Sequence, residues 1–184
     1  GGGTTDIAVV RQGGVEGTKM FALGGRTFTK RIAQVFGTSF EEAENLKIKY
    51  SRGELEAEDK KFIQNALITD CQVWFSGVEL TLEEFVAVEL LPSRILLCGG
   101  GAMLPDLQEI LKNAQWSPNL PFARRPNVHF IKPEDVENIS DQTGEMKNPW
   151  DITPMSLANL GIDLVGEEKI TDSILNKIVT SLRE

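Results

Sequence analysis

The stretch Arg94-Ile95-Leu96-Leu97-Cys98-Gly99-Gly100-Gly101-Ala102-Met103-Leu104-Pro105 restricts the fold most. A short apolar run stopped by three glycines predicts a strand, read here as buried. Pro105 stands where a first helical turn tolerates a residue without an N–H, and Leu107, Ile110, Leu111 and Ala114 supply one apolar face. Pro92 bars a helix from running into the strand. Strand, glycine turn and helix in succession make an α/β domain. A glycine turn at the carboxyl end of a strand, facing a helix N-terminus, also suits an anion or a nucleotide. The spacing is not GxGxxG, and no acidic residue follows about 20 positions on, which disfavours a dinucleotide site. It is not a GxxxxGK[ST] phosphate loop either. Taken by itself, a tight turn explains the three glycines equally well.

The chain opens on a second glycine cluster, Gly1-Gly2-Gly3-Thr4-Thr5-Asp6. Residues 4–12 are rich in β-branched side chains and predict a strand. Gly13-Gly14 is turn chemistry, and Thr18 to Leu23 predicts the return strand, ended by Gly24-Gly25. Glycines let backbone N–H groups close on phosphate oxygens. A threonine hydroxyl and an aspartate after them suit a γ-phosphate and hydrated magnesium. A plain turn or an added leader would read the same.

Helices follow. Phe28, Ile32, Val35 and Phe36 share one face, with Gly37 as the stop. Ser39-Phe40-Glu41-Glu42 is a capping box that opens a helix through Ala43, Leu46 and Tyr50. A longer helix runs from about Glu56 through Ile63, Leu67, Cys71, Trp74 and Val78, weakened at Gly77 and restarted at Thr81-Leu82-Glu83-Glu84. Val128 to Ile131 predicts a strand, and Thr153-Pro154 an N-cap and first-turn proline of a helix ended by Gly161 or Gly166. The sum is a hairpin feeding a mixed sheet with helices packed on it. Within the capped helix, Glu44 and Lys47 are three apart and neighbours on one face. They suit ribose hydroxyls and the flank of a purine, or form a surface ion pair worth under about 1 kcal/mol.

Composition removes other classes. Nineteen basic and twenty-seven acidic side chains leave a net charge of −8, which disfavours binding to a nucleic-acid backbone. No run of about 18 apolar residues spans a membrane, and no signal peptide is visible. Cys71 and Cys98 lie among apolar neighbours and read as buried, reduced thiols. His129 has no partners at zinc or triad spacing.

In their order along the chain, the glycine clusters and the Glu44/Lys47 pair resemble the actin-like ATPase superfamily. Gly1-Gly2-Gly3-Thr4-Thr5-Asp6 resembles its second phosphate motif, and Gly99-Gly100-Gly101 with Leu104 and Leu107 its adenosine motif. Leu23-Gly24-Gly25, Phe28-Thr29, Ile32, Ala43-Glu44, Leu46-Lys47-Ile48 and Tyr50 are similar to the bacterial FtsA family and its relative PilM of pilus assembly. The resemblance implies a ribonuclease-H-like actin-fold lobe, the second of two that enclose ATP. It implies Gly1, Gly2, Gly3, Thr4 and Thr5 on the β- and γ-phosphates, with Asp6 ordering magnesium-bound waters. Glu44 and Lys47 then meet the ribose or adenine, and Gly99, Gly100, Gly101 and Ala102 line the α-phosphate and adenosine side. Residues 1–165 are expected to be this lobe, with the family's inserted subdomain reduced at 48–92, and 166–184 a tail helix. With half of the phosphate clamp in the first lobe of the same parent, the chain alone is expected to be inactive as an ATPase. The implied partners are that lobe and division or envelope-assembly proteins, in the cytoplasm, reaching the membrane only through partners. Tail residues 171–184 set Lys177 and Arg183 against Asp172 and Glu184, so a surface anchor is disfavoured. The competing reading is a non-catalytic actin-fold scaffold, or a PilM-like pilus component.

Overall fold

The computed structural model describes residues 1–137 and 139–165. They divide into two compact units, Gly1–Phe130 and a second that begins at Ile131.

The first unit starts with an antiparallel hairpin, β1 (Thr5–Arg11) and β2 (Gly14–Phe21). Gln12 and Gly13 both have positive φ, 51° and 80°, the two-residue turn whose twist matches the strands it joins. A register shift between Val9 and Val10 leaves Glu16 unopposed as a β-bulge. Helix α1 (Gly25–Phe36) ends at Gly37, as its spacing predicts. Helix α2 (Phe40–Arg52) opens on the expected box: Ser39 Oγ accepts from Glu42 N at 3.2 Å, and Glu42 Oε2 accepts from Ser39 N at 3.0 Å.

Helix α3 (Ala57–Glu83) runs 27 residues without a break. The restart expected at Thr81 does not occur, because Gly77 serves packing and the helix continues through it. A Cβ at position 77 would stand 2.8 Å from Phe21 Cε2 of the hairpin, so a glycine there lets β2 lie against α3. Thr81 Oγ1 donates back to Gly77 O at 2.7 Å.

The core is built on these helices. Phe28 and Ile32 of α1, Ala43 and Tyr50 of α2, and Ile63, Leu67, Cys71 and Trp74 of α3 are buried together. Leu104, Leu107 and Leu111 join them from around α4 (Pro105–Asn113). Each large apolar side chain so buried contributes about 1.5–3 kcal/mol. A smaller cluster, Val9, Phe85, Val88, Leu91 and Leu120, lies under the hairpin.

Strands β3 (Arg94–Leu97) and β4 (Asn127–Phe130) pair in parallel, from Arg94 opposite Asn127 to Leu97 opposite Phe130. The α/β class holds, with the hairpin first and helices packed on the strands. The single mixed sheet does not: the described residues hold two separate two-stranded sheets. Nor is β3 buried. Leu97 and Val128 pack on the core while Arg94 and Leu96 are exposed, because the apolar run is covered on one face only. Cys98, at the end of that run, is exposed as well, whereas Cys71 is buried.

The second unit holds short 3-10 turns at Pro133–Asp135 and Pro149–Asp151, and residues 152–165 are helical. Thr153 lies inside that helix and not at its cap. The turn at 149–151 runs straight into it, and Asp151 Oδ2 accepts from Asn148 N at 2.9 Å and Lys147 N at 3.0 Å. Gly161 is helical too and does not end it. Gly166 and the tail helix expected at 171–184 lie outside the described residues. No described helix is long and apolar enough to cross a membrane.

Candidate functional site

The first glycine turn is tied to the start of α1. The opening amides of a helix have no partners inside it, and here Gly1 O accepts from Gly25 N at 2.9 Å and Gly2 O from Arg26 N at 2.8 Å. The approach is close enough to exclude any side chain at position 24: a Cβ there would lie 2.5 Å from Gly1 O and 2.9 Å from Thr4 N and O. Gly3 faces open space. Thr4 Oγ1 donates to Asp6 Oδ2 at 3.1 Å, and Asp6 is exposed. Thr5 turns inward. Its hydroxyl donates to Leu23 O at 2.8 Å and accepts from Trp74 Nε1 at 2.9 Å.

Glu44 and Lys47 meet the same end of α1. Lys47 Nζ donates to Gly25 O at 3.2 Å, Thr29 Oγ1 at 2.9 Å and Glu44 Oε2 at 2.8 Å. These three bonds use all three N–H groups of the ammonium, whose side chain is 13% exposed. Thr29 is completely buried, and its hydroxyl lies within hydrogen-bond reach of both Gly25 O and the Glu44 carboxylate. Burial pushes the Glu44 carboxyl up, but the hydrogen bonds from Lys47 and Thr29 outweigh it and hold the group below the ordinary glutamate range. The pair is therefore more than a surface ion pair: it clamps α2 to the beginning of α1.

The second glycine turn follows β3. Gly99 has φ 86° and ψ 164°, a conformation reserved for glycine. The first turn bonds run from Ala102 N to Gly99 O and from Leu104 N to Gly101 O, both 3.2 Å. The amides of Gly100 and Gly101 thus precede the first bond of the turn. A Cβ at any of the three glycines would meet nothing within 4 Å, so the turn is open. Gln108 Nε2 steadies it on Ala102 O at 3.1 Å. Just beyond, Tyr50 OH donates to Asp106 Oδ2 at 2.7 Å. Burial raises both groups, and it pushes the neighbouring Cys71 thiol up to about 12.

Helix α2 brings these parts together. Tyr50 lies three residues past Lys47, on the same helix face about 4.5 Å further along the axis. Lys47 and Glu44 hold the start of α1, and with it Gly1 and Gly2; Tyr50 holds the start of α4, just after Gly99 to Ala102. The bonds of Thr29 to Lys47, Trp74 to Thr5 and Tyr50 to Asp106 escape the sequence reading, because the partners are 18, 69 and 56 residues away. Thr29 did leave a signal: it is a polar residue between Phe28 and Ile32, close to the apolar face of its helix.

The fold is that of the actin-like ATPases. It matches a chain of the PilM–PilN type IV pilus biogenesis complex with a TM-score of 0.61 at 22% identity, over 86% of this chain and 44% of that one. At the level of family, the model for the cell division protein FtsA matches residues 1–150, and the chain belongs to the FtsA family. It is 29% identical to the cell division protein FtsA of Enterococcus hirae over 129 residues, covering 60% of this chain and 29% of that protein. To FtsA of Bacillus subtilis (strain 168) it is 31% identical over 135 residues, covering 61% of this chain and 31% of that protein. The chain thus spans about a third of the length of the curated relatives it matches.

Proposed function

We propose that this chain is the second, ATP-binding lobe of an FtsA-like cell-division protein, with a ribonuclease-H-like core. The observation that carries the reading is that α2 is tied to both glycine turns, Glu44 and Lys47 holding the start of α1 behind the first and Tyr50 the start of α4 behind the second. The open turns fit a polyphosphate: Gly3, Gly100 and Gly101 face free space, and the Gly100 and Gly101 amides precede the first turn bond. Gly1, Gly2, Gly3 and Thr4 then flank the β- and γ-phosphates. Thr5 positions that turn through Leu23 and Trp74. The exposed Asp6 orders the waters of a bound magnesium ion, a cation that keeps much of its hydration shell. Gly99, Gly100, Gly101 and Ala102 line the α-phosphate and adenosine side, and Glu44 faces the ribose, with Lys47 holding it in place. ATP supplies the phosphoryl group and magnesium its charge neutralisation. Such transfer depends on positioning from all sides, so the reaction needs the first lobe of the same parent.

A ligand that binds only the folded state raises its apparent stability. Magnesium and ATP are expected to raise the Tm of this chain in differential scanning fluorimetry. Gly101→Asp places a carboxylate in open space in the phosphate path, and is expected to abolish the rise while leaving the ligand-free Tm unchanged. A second reading, an actin-fold scaffold that binds division or pilus-assembly proteins without nucleotide, is favoured by the Thr5 hydroxyl and the Lys47 ammonium, both satisfied within the chain. No Tm shift of the full-length parent at millimolar ATP with magnesium would select it. The link from α2 to α3 is only residues 53–56. We read it as the place where the family's extra subdomain is reduced. Cytoplasmic placement, with membrane contact through partners only, goes with this reading.

A further inference from the structure

A hollow of about 550 Å³ opens between the end of α4 and the segment that leads into β4. One wall is aromatic, Trp116 meeting Phe122 edge to face at 5.4 Å between ring centroids; outside the lining, Phe75 backs Trp116 at 5.0 Å. Arg124 and Arg125 stand at the rim, both exposed. Neither forms an ion pair among the described residues. The wall is held in place from behind. Ser117 N donates to Glu79 Oε1 at 2.6 Å, Leu91 N to Pro121 O at 2.9 Å, and Leu120 is buried.

We propose that this hollow docks an acidic peptide segment, with carboxylates on the two guanidinium forks and an apolar side chain against Trp116. Two adjacent arginines carry the charge of the lining itself, on a chain whose net charge is −8, with Glu79 and Glu83 bonded to Ser117 at its edge. Guanidinium pairs with carboxylate in a planar, two-bond geometry. The volume lies within the roughly 300–1,000 Å³ of ligand sites. Both arginines line the hollow and are exposed, so the carboxylates of a chain lying across it can reach them. Two cations on an acidic body are too few to hold a nucleic-acid backbone.

The test is fluorescence anisotropy of the 184-residue chain with a short fluorescein-labelled peptide that alternates aspartate and phenylalanine. The same peptide with lysine for aspartate is the control. The aspartate peptide is expected to bind and the lysine peptide not. Arg124→Glu and Arg125→Glu should each weaken binding on the order of tenfold, as removal of a charge-assisted hydrogen bond does, with unchanged circular dichroism. Absence of binding at millimolar peptide, equal binding of the lysine peptide, or indifference to both reversals together would overturn the proposal. So would equally tight binding of a single-stranded oligonucleotide. A dimer in sedimentation velocity that Arg124→Glu abolishes would overturn it in favour of a second copy of the chain.

Discussion

Thr29 shows how much one residue decides in this molecule. Its hydroxyl is completely buried and is tolerated there only because Lys47, Glu44 and Gly25 surround it with partners. Lys47→Met removes the central donor and leaves the hydroxyl, a carbonyl and a carboxylate short of a bond. The expected cost is about 1–3 kcal/mol, read from urea unfolding. Gly24→Ala forces a Cβ onto Gly1 O and the Thr4 backbone. It is expected to lower the Tm and to remove any ATP-dependent rise, since the first glycine turn must move away. Asp106 gives a pH dependence. Burial raises its pKa in the folded chain, so its contribution is full below the unfolded value of about 3.9 and is lost as pH rises through the folded value. Asp106→Asn still accepts from Tyr50 OH and carries no charge, so it should be more stable than the parent at neutral pH, with the advantage fading in acid. Among these residues the sequence exposes Glu44, Lys47 and the glycines, which follow local spacing. It hides Asp106 and Trp74, because their partners come from other elements.

At the scale of the elements, the helices of the first unit and the strands were legible, and the breaks, the later caps and the burial of β3 were not. The Ser39–Glu42 box, the Gly37 stop and the first-turn Pro105 are local chemistry, and each appears where it was expected. Helix propensity alone makes Gly77 a weak point, at a cost of about 1 kcal/mol against alanine. The ring of Phe21 turns that cost into a packing requirement. Gly77→Ala should therefore destabilise the chain by about 1–3 kcal/mol through overpacking despite its better propensity. The paired Phe21→Ala change should recover part of the loss in a double-mutant cycle. Strand β3 misled for a different reason. A run of apolar residues carries no mark of how many of its faces will be covered, and here only one is.

At the scale of the whole molecule, the two thiols measure what the core protects. Cys71 is buried and its thiol is pushed up to about 12, first by burial, while Cys98 is exposed. An aromatic disulfide reagent at neutral pH is expected to label Cys98 within minutes and Cys71 only after denaturation. Simultaneous labelling of both in the native chain would contradict the packing of α3 against α1 and α4. Trp74 belongs to the same core, and its indole N–H ends on the Thr5 hydroxyl beside the first glycine turn. With Trp116 and Trp150 replaced by phenylalanine, the remaining indole becomes a light source wired to that turn. Any event that pulls Thr5 out of register will change its colour and brightness, so the molecule carries its own unlabelled gauge of what happens at its first glycines.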